Sequence, residues 1–141
     1  MRFGAAPTLE TPRLRLRAHR ASDFDAIAAM SGDPEVMRHI AGPQPREDSW
    51  RRMLCGPGMW ALLGYGYWAV ERREDERLVG QVGLADFKRD MRPSIEGLPE
   101  LGYVMAGWAH GQGYAGEAVS AVLDWADRHL RDALNRARPP E

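Results

Sequence analysis

Residues 110–116, His-Gly-Gln-Gly-Tyr-Ala-Gly, combine three glycines with a small alanine, and such residues let a backbone come close to a ligand. A short apolar run, 101–105, precedes the segment and an amphipathic run, 117–130, follows it, which predicts strand, glycine loop and helix. A helix N-terminus presents unpaired N–H groups and the positive end of its dipole. The spacing therefore predicts a phosphate-binding loop.

The glycine spacing alone leaves the kind of phosphate site open. Gly111, Gly113 and Gly116 satisfy G-x-G-x-x-G, but a dinucleotide site also requires a second strand and an acidic residue about twenty positions further on. Residues 131–141, rich in arginine and proline, make a poor buried strand. No Gly-Lys-Ser/Thr follows, which excludes a Walker loop. A tight glycine turn without a ligand remains the alternative.

Three blocks of sequence carry a resemblance to a known family. Gly-Gln-Gly-Tyr-Ala-Gly-Glu-Ala at 111–118, preceded by Glu-Leu-Gly-Tyr-Val-Met at 100–105, resembles the acetyl-CoA motif of the GNAT superfamily of N-acetyltransferases. Residues 9–17 and 33–38 are similar to the first strand and following helical region of the RimJ/RimL-like branch. The resemblance implies an α/β (α+β) fold: a mixed, mostly antiparallel sheet flanked by helices. It implies one acetyl-CoA-binding domain over residues 1–141, of which 131–141 can be a disordered tail.

Composition narrows the classes of partner. Nineteen basic and twenty acidic residues give a net charge of −1, which argues against a nucleic-acid partner. With 44% hydrophobic residues in 141, the chain is long and apolar enough for one domain with a real core. Cys55 is the only cysteine, so no cysteine-based zinc site is expected, and no metal is predicted. No apolar run approaches a membrane span, and we expect a cytoplasmic protein without a membrane partner.

Periodicity predicts the elements before the loop. Residues 13–18 alternate arginine with apolar residues, which predicts a strand whose arginines face solvent or partners, as its solvated face rather than a basic patch. Ser22 begins a predicted helix that Gly32 ends, and Asp33-Pro34 starts a short second one. A third helix is predicted over 46–54, stopped by Gly56, Pro57 and Gly58. Residues 67–71 and 78–84 form a predicted hairpin, followed by a loop over 88–99.

Three further features concern packing. Gly80 and Gly83 inside the second hairpin strand indicate either bulges or a close backbone approach. The predicted last helix buries an apolar face, namely Ala118, Val119, Val122, Leu123, Ala126 and Leu130. Four aromatic residues either pack in the core or line an acceptor pocket: Trp60, Trp68, Phe87 and Trp108.

The resemblance also assigns roles at the site. The pantetheine arm of acetyl-CoA would run beside the strand that contains Tyr103, Val104 and Met105, and its pyrophosphate would meet the loop amides. Glu100 is the candidate proton acceptor for the amine, and His110 either donates to phosphate or packs. The implied cofactor-binding residues are Tyr103, Val104, Met105, His110, Gly111, Gln112, Gly113, Tyr114, Ala115 and Gly116.

The C-terminal part departs from the family pattern, because no further strand follows the last predicted helix. A sheet that ends at residues 100–105 has an apolar edge that something should cover. A homodimer is the expected solution, and a partner chain or an incomplete protein are the alternatives. The leading function is transfer of acetyl from acetyl-CoA to a primary amine of a protein N-terminus or small molecule. The alternative is a noncatalytic acyl-CoA-binding or assembly module.

Overall fold

A computed structural model describes residues 4–40, 42–86 and 99–130. The elements run β1 (Leu9–Glu10), β2 (Leu14–Arg17), a 3₁₀ turn (Ala21–Asp23), α1 (Phe24–Ser31), α2 (Pro34–Met37), α3 (Arg46–Leu63), β3 (Tyr67–Arg72), β4 (Leu78–Ala85), β5 (Glu100–Met105), a second 3₁₀ turn (Gly107–Ala109) and α4 (Tyr114–His129). Phe87, most of the predicted loop 88–99 and the predicted tail 131–141 lie outside the described residues.

The described strands form one sheet in the order β1-β2-β3-β4-β5, and every neighbouring pair is antiparallel. Helix α4 lies against β2, β4 and β5, and α1 contacts β4. The predicted α/β fold with helices flanking a mostly antiparallel sheet is confirmed. Within the described residues β5 pairs only with β4, so its other edge is open at the place where the glycine loop begins.

Three tryptophans join the sheet to two helices. Trp68 of β3 meets Trp60 of α3 and Trp125 of α4 edge to face, with ring centroids 4.8 and 5.1 Å away, and Trp60 and Trp125 are 5.5 Å apart. Each such pair contributes about 0.5–1.5 kcal/mol beyond the burial of its area. Trp60 and Trp68 are therefore core residues, which decides between the two predicted roles for them.

Helix α4 buries most of the predicted face. Ala118, Val122, Ala126 and Leu130 are buried, and Val119 packs partly against the core. Leu123 was wrongly predicted as buried, because its side chain is 52% exposed. At about 100° per residue, position 123 lies about 140° around the helix from Ala118, whereas position 125 lies almost above it. Trp125 therefore fills the core.

The predicted end of the third helix was wrong, because α3 does not stop at Gly56, Pro57 and Gly58. It continues to Leu63 and ends at Gly64, whose φ of 79° provides the left-handed cap. Trp60, in this added part, is 2% exposed and donates its indole N–H to the Tyr67 carbonyl at 3.0 Å. Tertiary packing thus outweighs a proline penalty of about 3 kcal/mol and a glycine penalty of about 1 kcal/mol each.

A third prediction was wrong for one arginine of β2. Arg17 does not lie on a solvent-exposed face of the strand. It is 7% exposed, and its guanidinium forms two 2.8 Å hydrogen bonds with Asp23. Its Nε lies 3.2 Å from Glu71 of β3, which also pairs with the half-exposed Arg15. Alternation along a strand predicts the face on which a side chain lies. It does not predict that acidic partners on that face will let a charged side chain be buried.

The other boundaries agree closely with the predictions. The first helix starts at Phe24, after a 3₁₀ turn in which Asp23 accepts from the Arg20 amide at 2.7 Å, rather than at Ser22. Asp33 caps α2 by accepting from the Glu35 amide at 3.0 Å, as its position before proline indicated. The hairpin of β3 and β4 is confirmed.

Gly80 and Gly83 of β4 both lie where neighbouring backbone comes very close. A Cβ on Gly80 would stand 2.4 Å from the Val104 carbonyl oxygen, and one on Gly83 would stand 2.4 Å from the Gly66 oxygen. The pairing with β3 also shifts register beside Gly80. Close approach therefore explains both glycines, and a bulge accompanies the first of them.

Candidate functional site

A groove of about 300 Å³ opens where the edge of β5 meets the glycine loop. Its lining residues come from α2 and the turn after it, β5, the second 3₁₀ turn, the loop and the first turn of α4: Val36, Ile40, Tyr103, Val104, Met105, Ala109, His110, Gly111, Gly113, Tyr114 and Ala115. The fold thus brings together every predicted cofactor-binding residue except Gln112 and Gly116, which do not line the groove. Glu100 does not line it either.

The loop has the backbone that a phosphate cradle needs. Gly111 and Gly113 have φ angles of 78° and 80°, a left-handed conformation that glycine adopts without strain. Gly113 immediately precedes α4. The helical hydrogen bonds of α4 begin with the amide of Glu117, which donates to the Gly113 carbonyl at 3.2 Å. Helix geometry leaves the amides of 114–116 for another acceptor, and glycine has no side chain to cap them.

The space around the loop suits a ligand. A Cβ on Gly111 or Gly116 would meet no heavy atom within 4 Å. Beside the loop, Tyr103 of β5 is 52% exposed, and the strand's outer edge has no partner among the described residues. An extended chain with amides can therefore lie along β5 while an anionic group reaches the amides of α4.

His110 joins the strand to the loop. Its Nε2 lies 2.9 Å from the Met105 carbonyl oxygen, so this nitrogen carries a proton and donates it. This hydrogen bond holds the ring at the end of β5, where His110 lines the groove. Whether His110 donates to phosphate or packs stays a prediction.

Arg13 and Glu117 brace the loop from behind, and neither was predicted from the sequence as a site residue. Arg13 donates from Nε to Glu117 at 2.7 Å and from Nη1 to the Gln112 carbonyl at 2.8 Å. Its guanidinium also stacks on the Tyr114 ring, 4.5 Å from the centroid. The sequence offers one signal for this pair, which is the acidic residue in the first turn of the predicted helix. An acidic residue at this position commonly interacts with the free N–H groups of the helix or with a cation.

Glu117 is held as a carboxylate. Besides the Arg13 side chain, it accepts from the Arg13 amide at 2.9 Å and from the Thr11 hydroxyl. Burial acts to raise the pKa of Glu117, but the hydrogen bonds from Thr11 and Arg13 outweigh it and lower the pKa below its ordinary value. The first turn of α4 therefore carries a negative charge that Arg13 balances.

Glu100 begins β5 and shares a face of the sheet with Gly102 and Val104, because alternate residues of a strand point the same way. On that face, Tyr67 of β3 lies across Gly83 and brings its hydroxyl oxygen to Gly102: a Cβ there would stand 2.1 Å from it. Tyr67 was not predicted, since nothing local marks a side chain that crosses two strands. The role of Glu100 as proton acceptor stays a prediction.

His19 and Gln81 form a polar pair on this face, and the sequence did not reveal it. The His19 Nε2 lies 2.7 Å from the Gln81 side-chain oxygen, and Gln81 pairs across the sheet with Val104, which lines the groove. Burial lowers the pKa of His19 despite the hydrogen bond to Gln81. Burial therefore favours the neutral imidazole, whose Nε2 donates to the Gln81 oxygen.

Trp108 takes neither of the two roles considered for it, because it is 36% exposed and therefore not a core residue, and it does not line the groove. The guanidinium carbons of Arg77 and Arg72 lie 3.7 and 5.0 Å from its ring centroid, so the indole packs against the turn between β3 and β4. Across the described ranges, no cluster of three histidine, cysteine or acidic side chains is arranged to hold a metal ion. In the same part of the chain, no helix is long and apolar enough to cross a membrane.

A family model described as an acetyltransferase (GNAT) domain matches residues 13–138, nearly the whole chain. The chain belongs to the GNAT acetyltransferase family. It is 28% identical over 131 residues to the uncharacterized N-acetyltransferase p20 of Bacillus licheniformis, covering 92% of this chain and 70% of that protein. The crystal structure of an acetyltransferase from Agrobacterium tumefaciens superposes with a TM-score of 0.76 at 28% identity, over 89% of this chain and 70% of that one.

GNAT acetyltransferases take the acetyl group from acetyl-CoA. A RimL ribosomal L7/L12 alpha-N-protein acetyltransferase, solved in complex with coenzyme A, shares the fold with a TM-score of 0.65 at 15% identity, over 85% of this chain and 67% of that one. The groove fits this cofactor, because it joins an open strand edge to a left-handed glycine loop with space for a phosphate.

Proposed function

We propose that this GNAT acetyltransferase acetylates a primary amine of a protein N-terminus or a small molecule, and that it belongs to the RimJ/RimL-like branch. The observation that carries the proposal is the groove that joins the open edge of β5 to the loop at Gly111 and Gly113. The RimJ/RimL-like block at 33–38 supports an amine of this kind, because it forms α2, whose Val36 lines the groove.

The chain's own residues divide the work between binding and proton transfer. Acetyl-CoA supplies the activated thioester, and the strand backbone at 103–105 orients its pantetheine arm. The amides of the loop and the first turn of α4 bind the pyrophosphate. Glu100 accepts the proton that the acceptor ammonium must lose before it can attack the thioester carbonyl.

The same proposal includes a homodimer in the cytoplasm. Leu101 exposes apolar surface on β5 ahead of the stretch 103–105 that takes the pantetheine arm, and a second copy that packs there would bury it while the groove stays accessible. The mass of the protein in solution tests the dimer. A monomer at micromolar concentration with full acetyl-CoA binding would contradict it.

The cofactor site is tested by calorimetric titration with acetyl-CoA of the wild type and of two matched glycine variants. Gly111 and Gly42 have φ angles of 78° and 76°, and neither would place a Cβ within 4 Å of another atom. Alanine at either position costs about 1 kcal/mol of left-handed strain. We expect acetyl-CoA to bind about tenfold more weakly to Gly111→Ala, a loss of about 1.4 kcal/mol, and as tightly to Gly42→Ala as to the wild type.

Release of CoA in the presence of a panel of amines and N-terminal peptides then tests the transfer. Glu100→Gln should lose amine-dependent release while it retains binding. Binding without release for any amine would instead favour the noncatalytic acyl-CoA-binding module. Equal binding by Gly111→Ala and Gly42→Ala would contradict the placement of the cofactor at the loop.

A further inference from the structure

Glu117 is an unexpected residue in the first turn of a helix that binds phosphate. It is the fourth residue of α4, and hydrogen bonds from Thr11 and Arg13 keep it ionised. A carboxylate at this place repels an anionic ligand and competes with it for the positive end of the helix dipole. The loop therefore needs a cation to restore its affinity for phosphate.

Arg13 supplies that cation from the turn between β1 and β2. Its backbone N–H and its Nε donate to the two carboxylate oxygens of Glu117, at 2.9 and 2.7 Å. The Glu117 side chain is 18% exposed and the Arg13 side chain is 46% exposed, so solvent screens the pair from the arginine side. The charge of Glu117 is cancelled at the place where a phosphate would otherwise meet it.

The same guanidinium also fixes the shape of the loop. Its Nη1 donates to the carbonyl of Gln112, which lies between the two left-handed glycines, at 2.8 Å. Its Nη2 stands 3.3 Å from the position that a Cβ on Gly113 would take, and its plane covers the Tyr114 ring. Gln112 adds a second restraint by donating its side-chain amide to the Trp108 carbonyl at 3.1 Å.

We propose that Arg13 is a positioning residue of the acetyl-CoA site, which cancels the charge of Glu117 and holds the Gln112 carbonyl so that the loop amides face the pyrophosphate. The proposal rests on the proposed function, since it requires acetyl-CoA to bind at this loop. Arg13 acts through Glu117 and Gln112 and need not touch the cofactor itself. Its two roles have separate signatures, because one depends on charge and the other on the planar fork of donors.

The test is a double-mutant cycle with acetyl-CoA binding as the readout. Arg13→Met, Glu117→Gln and the double variant are titrated by calorimetry at low and high salt, and their stability is measured by urea unfolding. Arg128→Met is the matched control, because Arg128 forms a 2.5 Å ion pair with Asp124 at the far end of the same helix. Arg13→Lys keeps the charge and loses the fork.

We expect Arg13→Met to bind acetyl-CoA about tenfold more weakly, a loss of about 1.4 kcal/mol. In the Glu117→Gln background the same change should cost only about threefold, because no uncompensated carboxylate remains. Arg13→Lys should fall between the wild type and Arg13→Met, and Arg128→Met should bind as the wild type does. Raising the salt concentration should narrow the gap between Arg13→Met and the wild type.

Equal affinity of Arg13→Met and Arg128→Met would overturn the proposal. An equal loss in the presence and absence of the Glu117 carboxylate would overturn the charge-cancelling role. If Arg13→Met does not fold, the comparison of Arg13→Lys with Arg13→Lys/Glu117→Gln supplies the same cycle. Failure of the proposed function gives a different result, because the wild type itself would then not bind acetyl-CoA.

Discussion

Replacing Asp23 with asparagine removes the anion that holds the buried Arg17, and the structure sets the size of the effect. Asp23 accepts two 2.8 Å hydrogen bonds from that guanidinium and one of 2.7 Å from the Arg20 amide, and both side chains of the pair are almost fully buried. Breaking a buried pair costs about 3–5 kcal/mol. Glu71 remains 3.2 Å from Arg17 Nε and keeps it partly neutralised, so we expect about 3 kcal/mol, the lower end of this range.

Urea unfolding of Asp23→Asn at pH 7 measures the loss, with Asp25→Asn as the control. Asp25 pairs with Arg46 at 2.6 Å, but both side chains are mostly exposed, and such pairs contribute about 0–1 kcal/mol. Equal losses for the two variants would refute the reasoning, because burial would then make no difference to the strength of the pair.

The same pair makes stability depend on pH in one direction. Burial acts to raise the pKa of Asp23, but hydrogen bonds from Arg17 and Arg20 outweigh it and lower the pKa below its ordinary value. Its stabilisation is therefore complete above the unfolded pKa of about 3.9 and is lost as the pH falls through the folded value. The gap in unfolding free energy between the wild type and Asp23→Asn should narrow below about pH 4. A constant gap from pH 7 to pH 3 would contradict the lowered pKa.

Two further predictions concern local strain. Pro57 in the interior of α3 cannot donate a hydrogen bond to the Met53 carbonyl, so Pro57→Ala should raise the unfolding free energy by about 1–3 kcal/mol, and an unchanged midpoint in urea would contradict this. Gly102→Ala should cost about 1–3 kcal/mol through overlap with the Tyr67 hydroxyl. Tyr67→Phe should reduce that cost, because the nearest remaining ring atom stands 3.3 Å from the new Cβ; an unreduced cost in the double variant would exclude the overlap as its cause.

The features that the sequence predicted depend on short spacings. Alternation along β2 and the charged turn of the β3–β4 hairpin involve neighbours within a few residues, and both elements are where the pattern placed them. The strand, loop and helix around Gly111 and Gly113 were likewise predicted from spacings of a few residues. Glycine there meets a requirement of the backbone itself, since φ is positive at both positions.

The features that were mispredicted depend on partners distant in sequence. The Gly-Pro-Gly at 56–58 is a strong local stop signal, but Trp60 beyond it packs against Trp68 and Trp125, and this contact keeps the helix going. Arg17 is buried because Asp23 and Glu71 come from a following turn and a neighbouring strand. Leu123 was wrongly assigned to the buried face of α4 and the buried Trp125 was not assigned to it, because packing against Trp60 and Trp68 decides the edge of that face.

The candidate site shows the same division within a few ångströms. The glycine loop was visible in the sequence, whereas Arg13, which holds it, lies 104 residues before its partner Glu117. Each of the two residues has a sufficient local explanation. The arginine can be explained by the solvent-exposed face of a strand, and the glutamate by the first turn of a helix. Only the packing of α4 on β2 brings them together and gives the pair a different role. Motif matching therefore identifies the surface that contacts a cofactor, while the residues that give this surface its charge and shape have to be found by following each charged side chain to its partner.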